Sequence, residues 1–251
     1  MRFDFIIFIM EINQNIAEYY DELYPVTEEQ KVFYQKKMIL FKKPVKFLQI
    51  GCGSGTFEHN LAREGSDVTG IETSQELLES ANRKRRTQLM AVRYFQMSSL
   101  EMTRFLGKNF YNIISILNGR IVFTHDKTLM RKFFFDCRQL VSKNGLLILE
   151  LPNFGNYSEL EKIEFPVRES IRSNLKSVIE KRGENFYLEQ VLTNSNDKKL
   201  VVTQNAPVYL LTTSEIESFA LEAGFSKVEL YSDFAENPFT EKSQRVVAVV
   251  S

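Results

Sequence analysis

The chain has 251 residues, long for one minimal domain and short for two full ones. An apolar share of 43% is enough for a sizeable core, which excludes a disordered or collagen-like chain. Lys plus Arg and Asp plus Glu each number 32, and this balance lacks the basic excess of a general nucleic-acid binder.

The first apolar run, FIIFIM at 5–10, is far shorter than the roughly 20 residues of a membrane helix. It follows Asp4 and precedes no small-residue cleavage site, so neither a span nor a signal peptide is expected. It reads as a short strand, or as residues upstream of a natural start at Met10. Segments 12–24 and 26–41 then read as two helices split by Pro25, which disfavours helix at Tyr24.

From residue 46 strand and helix alternate. Short apolar runs at 46–50, 67–71, 91–96, 110–117 and 145–151 read as buried strands. Helical stretches at 56–63, 74–86, 99–107 and 126–142 separate them, with Ser74 as an N-cap and a basic end at 83–86 suited to the helix dipole. This rhythm predicts a parallel sheet with helices on both faces and ligand chemistry at the carboxyl ends of the strands. Residues 153–212 break the rhythm. They are β-rich, with turns at 183–185 and 194–197, and predict a small antiparallel sheet inserted into the α/β domain. A helix at 214–223, capped by Ser214 and ended by Gly224, and strands at 227–231 and 245–250 complete the chain. The α/β domain is thus 12–152 and 213–251, and the insert 153–212.

The informative segment is FLQIGCGSGT at 47–56. Glycines at a strand-to-helix turn let backbone approach a ligand, with a helix N-terminus behind. Glu72 ends the second strand, where an acid can accept both ribose hydroxyls of an adenosine ligand. A dinucleotide site prefers G-x-G-x-x-G; this chain has Thr56 at the third glycine and reads G-x-G-x-G.

That loop resembles the class I S-adenosylmethionine-dependent methyltransferases. The similarity runs on through ETSQELLESA, YFQMSSLEM, SILNG and SKNGLLILELPNF, and returns in TTSEIESFALEAGFSKVELYSDF. It covers about 15–152 and 205–250. The resemblance implies an α/β fold: a parallel sheet with a C-terminal antiparallel hairpin, helices on both faces and the inserted β cap. It implies S-adenosylmethionine as cofactor, held by Gln49, Gly51, Cys52, Gly53 and Gly55 around the methionine moiety. Glu72 and Thr73 would lie at the ribose, Ser98 and Ser99 beside the adenine, and Leu117 and Asn118 at the methyl-transfer pocket. The YYDELY segment at 19–24 resembles a lid helix of small-molecule enzymes. Two positions depart from the family: Gln49 stands where an acid is usual, and Ser98 where Asp is frequent. Gln49 keeps a hydrogen-bond acceptor but loses the charge.

The expected activity is methyl transfer to a small molecule, with nitrogen favoured over oxygen. The cap resembles that of glycine- and sugar-amine-type N-methyltransferases and would exclude water; it is also a candidate dimerisation sheet. An adenosyl-binding protein without turnover is the alternative to which Gln49 and Ser98 point, and a nicotinamide-dependent dehydrogenase is a third reading. His125 follows the fourth strand and is the candidate base, with Tyr20 orienting substrate; the bland role for His125 is a polar residue at the start of the next helix. His59 reads as structural. With two histidines and two distant cysteines, Cys52 and Cys137, no disulfide framework or metal site is expected. The cysteine usage fits a reducing, cytoplasmic-type compartment. No membrane or nucleic-acid partner is expected.

Overall fold

A computed structural model describes residues 12–86, 91–157 and 159–251. Strand β1 (Lys46–Ile50) pairs in parallel with both β2 (Asp67–Glu72) and β4 (Tyr111–Ile116). β3 (Val92–Gln96) lies outside β2, and β5 (Val141–Pro152) outside β4, also parallel. The two last strands, β11 (Val228–Tyr231) and β12 (Arg245–Val250), reverse direction, β12 pairing antiparallel with β5 and β11 with β12. The order is therefore β11-β12-β5-β4-β1-β2-β3. Phe47 and Leu48 of β1 and Leu147, Ile148 and Leu149 of β5 are buried on both sides, so these strands read as unbroken apolar runs rather than alternations. The chain reverses winding between β1 and β4, and the loops after these two strands flank the crevice at their carboxyl ends.

The connecting helices are α3 (Thr56–Arg63), α4 (Gln75–Arg86), α5 (Met102–Phe105), α6 (Lys127–Leu140) and α7 (Thr213–Ala223). Asp126 caps α6 by accepting from the Leu129 N–H at 2.8 Å. The cap of α7 is Thr212, not the expected Ser214: Thr212 and Glu215 form a reciprocal capping box, and Glu215 is the acid three residues on that the motif needs. Gly224 ends α7 in the left-handed conformation, as expected. The expected helix at 99–107 is a 3₁₀ turn, Ser99–Glu101, followed by the single turn α5.

The insert forms a second sheet from β6 (Lys162–Glu164), β7 (Arg168–Glu169), β8 (Ser173–Arg182), β9 (Asn185–Asn194) and β10 (Lys199–Val208), all antiparallel. Its inner residues Ile163, Ile179, Leu188, Ala206 and Val208 share one apolar cluster with Leu149, Leu151 and Phe154 of the main domain. At its other end Leu175, Leu192 and Val202 pack with Ile16, Tyr20, Leu23 and Leu77.

The amino-terminal helices are shorter than expected. They are α1 (Tyr20–Leu23) and α2 (Glu28–Met38), the latter capped by Thr27. Asn13 and Asn15 take left-handed φ values of 56° and 54°, which break the helix ahead of α1. Backbone groups left free there bond elsewhere: Gln14 N–H to the Val202 carbonyl at 2.8 Å and Asn15 N–H to Glu76 at 3.0 Å. The apolar run at 5–10 lies outside the described residues. Among the described residues no helix is long and apolar enough to cross a membrane, and no cluster of His, Cys, Asp and Glu could hold a metal ion. Cys52 and Cys137 are free and buried.

Candidate active site

The glycine loop leaves β1 and enters α3 with Gly51, Gly53 and Gly55 at φ values of 67°, 58° and 81°. Two of these glycines are also demanded by space. A β-carbon on Gly53 would run into the Tyr20 ring, and one on Gly55 into the Tyr94 hydroxyl. Glu72, buried at the end of β2, ties this loop to the next. Its carboxylate accepts the Gly53 N–H at 3.0 Å, the Thr73 N–H at 2.9 Å and the Ser74 N–H at 3.0 Å.

A cation completes this cluster. Gly119 turns the chain after β4 in the left-handed conformation and starts the 3₁₀ turn Arg120–Phe123. The Arg120 stem then lies over Gly51. Its guanidinium reaches Glu72 at 3.4 Å and donates to the Tyr20 hydroxyl at 3.2 Å, with the Tyr20 ring 5.5 Å away. Burial acts to lower the Arg120 pKa, but Tyr20 and Glu72 outweigh it and hold the group charged. Burial pushes the Tyr20 hydroxyl up to about 12 although Arg120 acts to lower it.

Helix α1 is latched onto the loop through Asp21, which accepts from Ser54, from Thr56 Oγ1 at 2.8 Å and from Lys84. Burial alone would raise the Asp21 pKa; these donors hold it below the usual value. Beneath α1 a narrow cleft is walled by Tyr20, Tyr24, Gln49, Cys52, Glu58 and Asn118. Two acceptors in that wall are buried without a partner, Gln49 Oε1 and Glu58 Oε2.

On the other side of Tyr20, Tyr24 and Asn118 a cavity of about 370 Å³ opens between the sheet edge and the cap. Asn118, Arg120, Glu150 and Pro152 come from the main domain, and Phe165, Ile179, Leu188 and Gln190 from the insert. Glu150 is the acidic residue of this wall. It is buried, accepts the Asn118 N–H at 2.6 Å and pairs with Arg245. Arg168 stacks on Tyr24 at 4.5 Å at the same wall.

The structure thus brings together Gln49, Gly51, Cys52, Leu117, Asn118 and Tyr20 around the cleft, with Gly53 and Gly55 in the same loop and Glu72 and Thr73 at its edge. Ser98 and Ser99 line neither space; they follow β3, where the Met97 N–H bonds the Glu72 carbonyl at 3.1 Å, and Ser98 caps the 3₁₀ turn through the Leu100 N–H at 3.2 Å. His125 is 46% exposed, 3.8 Å from Asp126, and is not in the cavity wall, whereas its supposed helper Tyr20 is. Arg120, Glu150 and Glu58 were not singled out in the sequence. Their only sequence signal is position at the sheet's carboxyl edge: Glu58 opens α3, Arg120 follows β4 and Glu150 lies in the last residues of β5.

Residues 47–145 match the family model described as a methyltransferase domain. A protein of Geobacillus sp. (strain WCH70) that carries the name methyltransferase is 25% identical, over 94% of this chain and 98% of its own. The CcbJ methyltransferase of Streptomyces caelestis superposes with a TM-score of 0.78 at 17% identity, covering 95% of this chain and 96% of its own. CalS10 of Micromonospora echinaspora, an amino pentose methyltransferase solved with S-adenosylmethionine bound, superposes at 0.63 with 16% identity, covering 89% and 90%.

Proposed function

Residues 47–145 match the methyltransferase-domain family model and the chain shares the fold of a solved methyltransferase, and on that ground we propose that it transfers a methyl group from S-adenosylmethionine to a small acceptor held under the cap. The observation that carries this reading is the meeting of two spaces: the narrow cleft at the glycine loop and the roughly 370 Å³ cavity share Tyr20, Tyr24 and Asn118. That volume suits a small molecule rather than a protein or nucleic-acid segment.

The lining residues fit the cofactor, while the cleft as it stands, about 30 Å³, takes it only with Tyr20 and α1 drawn back from the loop. The loop N–H groups and left-handed glycines suit close approach of an amino-acid moiety, and two buried acceptors in the cleft have no protein partner. Glu72 offers a buried carboxylate for the ribose hydroxyls once Arg120 is turned away from it. When bound, S-adenosylmethionine supplies a methyl group already activated by its sulfonium. The work left to the protein is alignment and exclusion of water. Tyr20 and Asn118 border both spaces and orient the acceptor; Phe154, Phe165 and Leu188 keep the cavity dry. Glu150 lines the cavity with lone pairs left over to accept an N–H or an O–H of the acceptor. The preference for nitrogen is supported by the likeness to CalS10, an amino pentose methyltransferase.

The test is a melt followed by turnover. S-adenosylhomocysteine at 100 times its dissociation constant should stabilise the protein by about 2.7 kcal/mol, and NAD should not. Amino sugars and other small amines, each beside its hydroxyl counterpart, are then assayed for methylation. A melt that responds to NAD and ignores the adenosyl ligand refutes the reading. Binding without turnover on any acceptor supports the adenosyl-binding alternative instead.

A further inference from the structure

The buried carboxylate of Glu58 has no part in the cap cavity or in the Glu72 cluster. It lies on the first turn of α3, 1% exposed, and its Oε2 has no hydrogen-bond partner. Gln49, 2% exposed at the end of β1, leaves its Oε1 equally unpartnered. Both side chains border the same cleft, together with Ser54, Cys52 and Leu117. A buried carboxyl oxygen without a donor is costly, and two such acceptors bordering one cleft call for a common partner. What would relieve both is a single group with several N–H donors and a positive charge. An ammonium has three donors and no acceptor. Gln49 is neutral, so the charge that balances such a group falls to Glu58.

We propose that Glu58 is the anionic anchor for the α-ammonium of an amino-acid-bearing ligand in this cleft, with Gln49 accepting a second of its N–H bonds. The assignment rests on the adenosyl ligand proposed above, and makes the cleft selective for adenosyl compounds that carry a free amino group. Glu72, which holds three backbone N–H groups, is left to the sugar end.

A proton accompanies the exchange. Without a ligand, burial pushes the Glu58 carboxyl up to about 8, against the lowering by its own backbone N–H and by Lys84. The groups that face it are Lys84 of α4, Asp21 of α1, Glu72 of β2, Cys52 of the loop, Tyr34 of α2 and Tyr94 of β3. Its neighbour His59 is held below its usual value chiefly by burial, and its Nδ1 is engaged by the Gly55 carbonyl. Near neutral pH the arriving ammonium therefore meets a carboxylic acid, and binding sends its proton to solvent.

Three proteins are compared by calorimetry: the wild type, Glu58→Gln, and the double variant Glu58→Gln with Gln49→Glu. The probes are S-adenosylhomocysteine, which has the amino group, and 5′-methylthioadenosine, which lacks the whole amino-acid moiety. Glu58→Gln should weaken S-adenosylhomocysteine about tenfold or more while 5′-methylthioadenosine changes less than about twofold. The double variant should recover most of the loss, because the charge returns to the same cleft. Titrations at pH 7 in two buffers of different ionisation enthalpy should show proton release for S-adenosylhomocysteine with the wild type, and none with Glu58→Gln. Equal losses for both probes, or no loss for S-adenosylhomocysteine, overturn the assignment of Glu58 alone. A wild type that binds neither probe overturns the adenosyl reading together with it.

Discussion

Arg120→Ala tests whether the guanidinium over the glycine loop blocks the proposed adenosyl site or forms part of it. Arg120 is 9% exposed, 3.4 Å from Glu72, and donates to the Tyr20 hydroxyl. Breaking a buried pair from one side costs about 3–5 kcal/mol, because the other charge is left uncompensated. Here Glu72 keeps three backbone N–H donors, so the low end applies. The free variant should lose about 3 kcal/mol, or roughly 6–12 °C in melting temperature for a domain of this size. The ligand side has the opposite sign. On the proposed reading, ribose hydroxyls compete with Arg120 for the Glu72 Oε2 that it faces, and the variant has already surrendered that contact. Each 1.4 kcal/mol removed from this displacement is about tenfold in affinity. Part of the mutational cost is the exposed stem and the stranded carboxylate rather than the pair itself, so a gain of about tenfold is expected. Thermal unfolding without ligand and calorimetry with S-adenosylhomocysteine measure the two halves. A variant that is less stable and also binds more weakly refutes the reasoning, and makes Arg120 a ligand contact.

Three further outcomes are expected. Between pH 4.5 and 8 the folded protein keeps a proton on Glu58 that the unfolded chain has released, so stability should fall as pH rises through this window, by at most about 1.4 kcal/mol per unit; denaturant unfolding should show the slope flattened in Glu58→Gln, and an unchanged slope counts against the burial argument. Replacing 153–212 by a Gly/Ser loop should impair adenosyl binding as well as methyl transfer, because Leu175 and Leu192 of the insert pack on Tyr20 and Leu77; intact ligand affinity in the shortened protein would mean that the cap acts on the acceptor alone. His125→Asn should leave the methylation rate within about twofold from pH 6 to 9, since His125 is exposed and outside the cavity wall, and a tenfold loss would restore it as the base.

The strand and helix rhythm from residue 46 to 151, the glycine turn at 51–55, the acid at 72 and the β-rich insert were all legible in the sequence. Each rests on a local rule: burial on both faces makes an unbroken apolar run, and a left-handed turn at a strand end takes glycine. The same rules overran at 12–19, where helix periodicity was present but Asn13 and Asn15 turn left-handed and the backbone bonds to Val202 and Glu76 instead. They also placed the cap of α7 on Ser214 when the acid that completes the box, Glu215, stands three residues after Thr212. The candidate site was less legible than the fold. Its backbone cradle is contiguous in sequence, but Glu58, Arg120 and Glu150 come from a helix turn, a loop and a strand end, and nothing local says which way each side chain points. Burial decides that direction, and burial exists only once β1, β2 and β4 lie side by side and α1 closes over them. The sequence by itself therefore determined the sheet, the glycine turn at its carboxyl edge and the second, antiparallel sheet; the tertiary structure alone decided which charges meet there, because electrostatic partnership depends on distances that chain order does not carry.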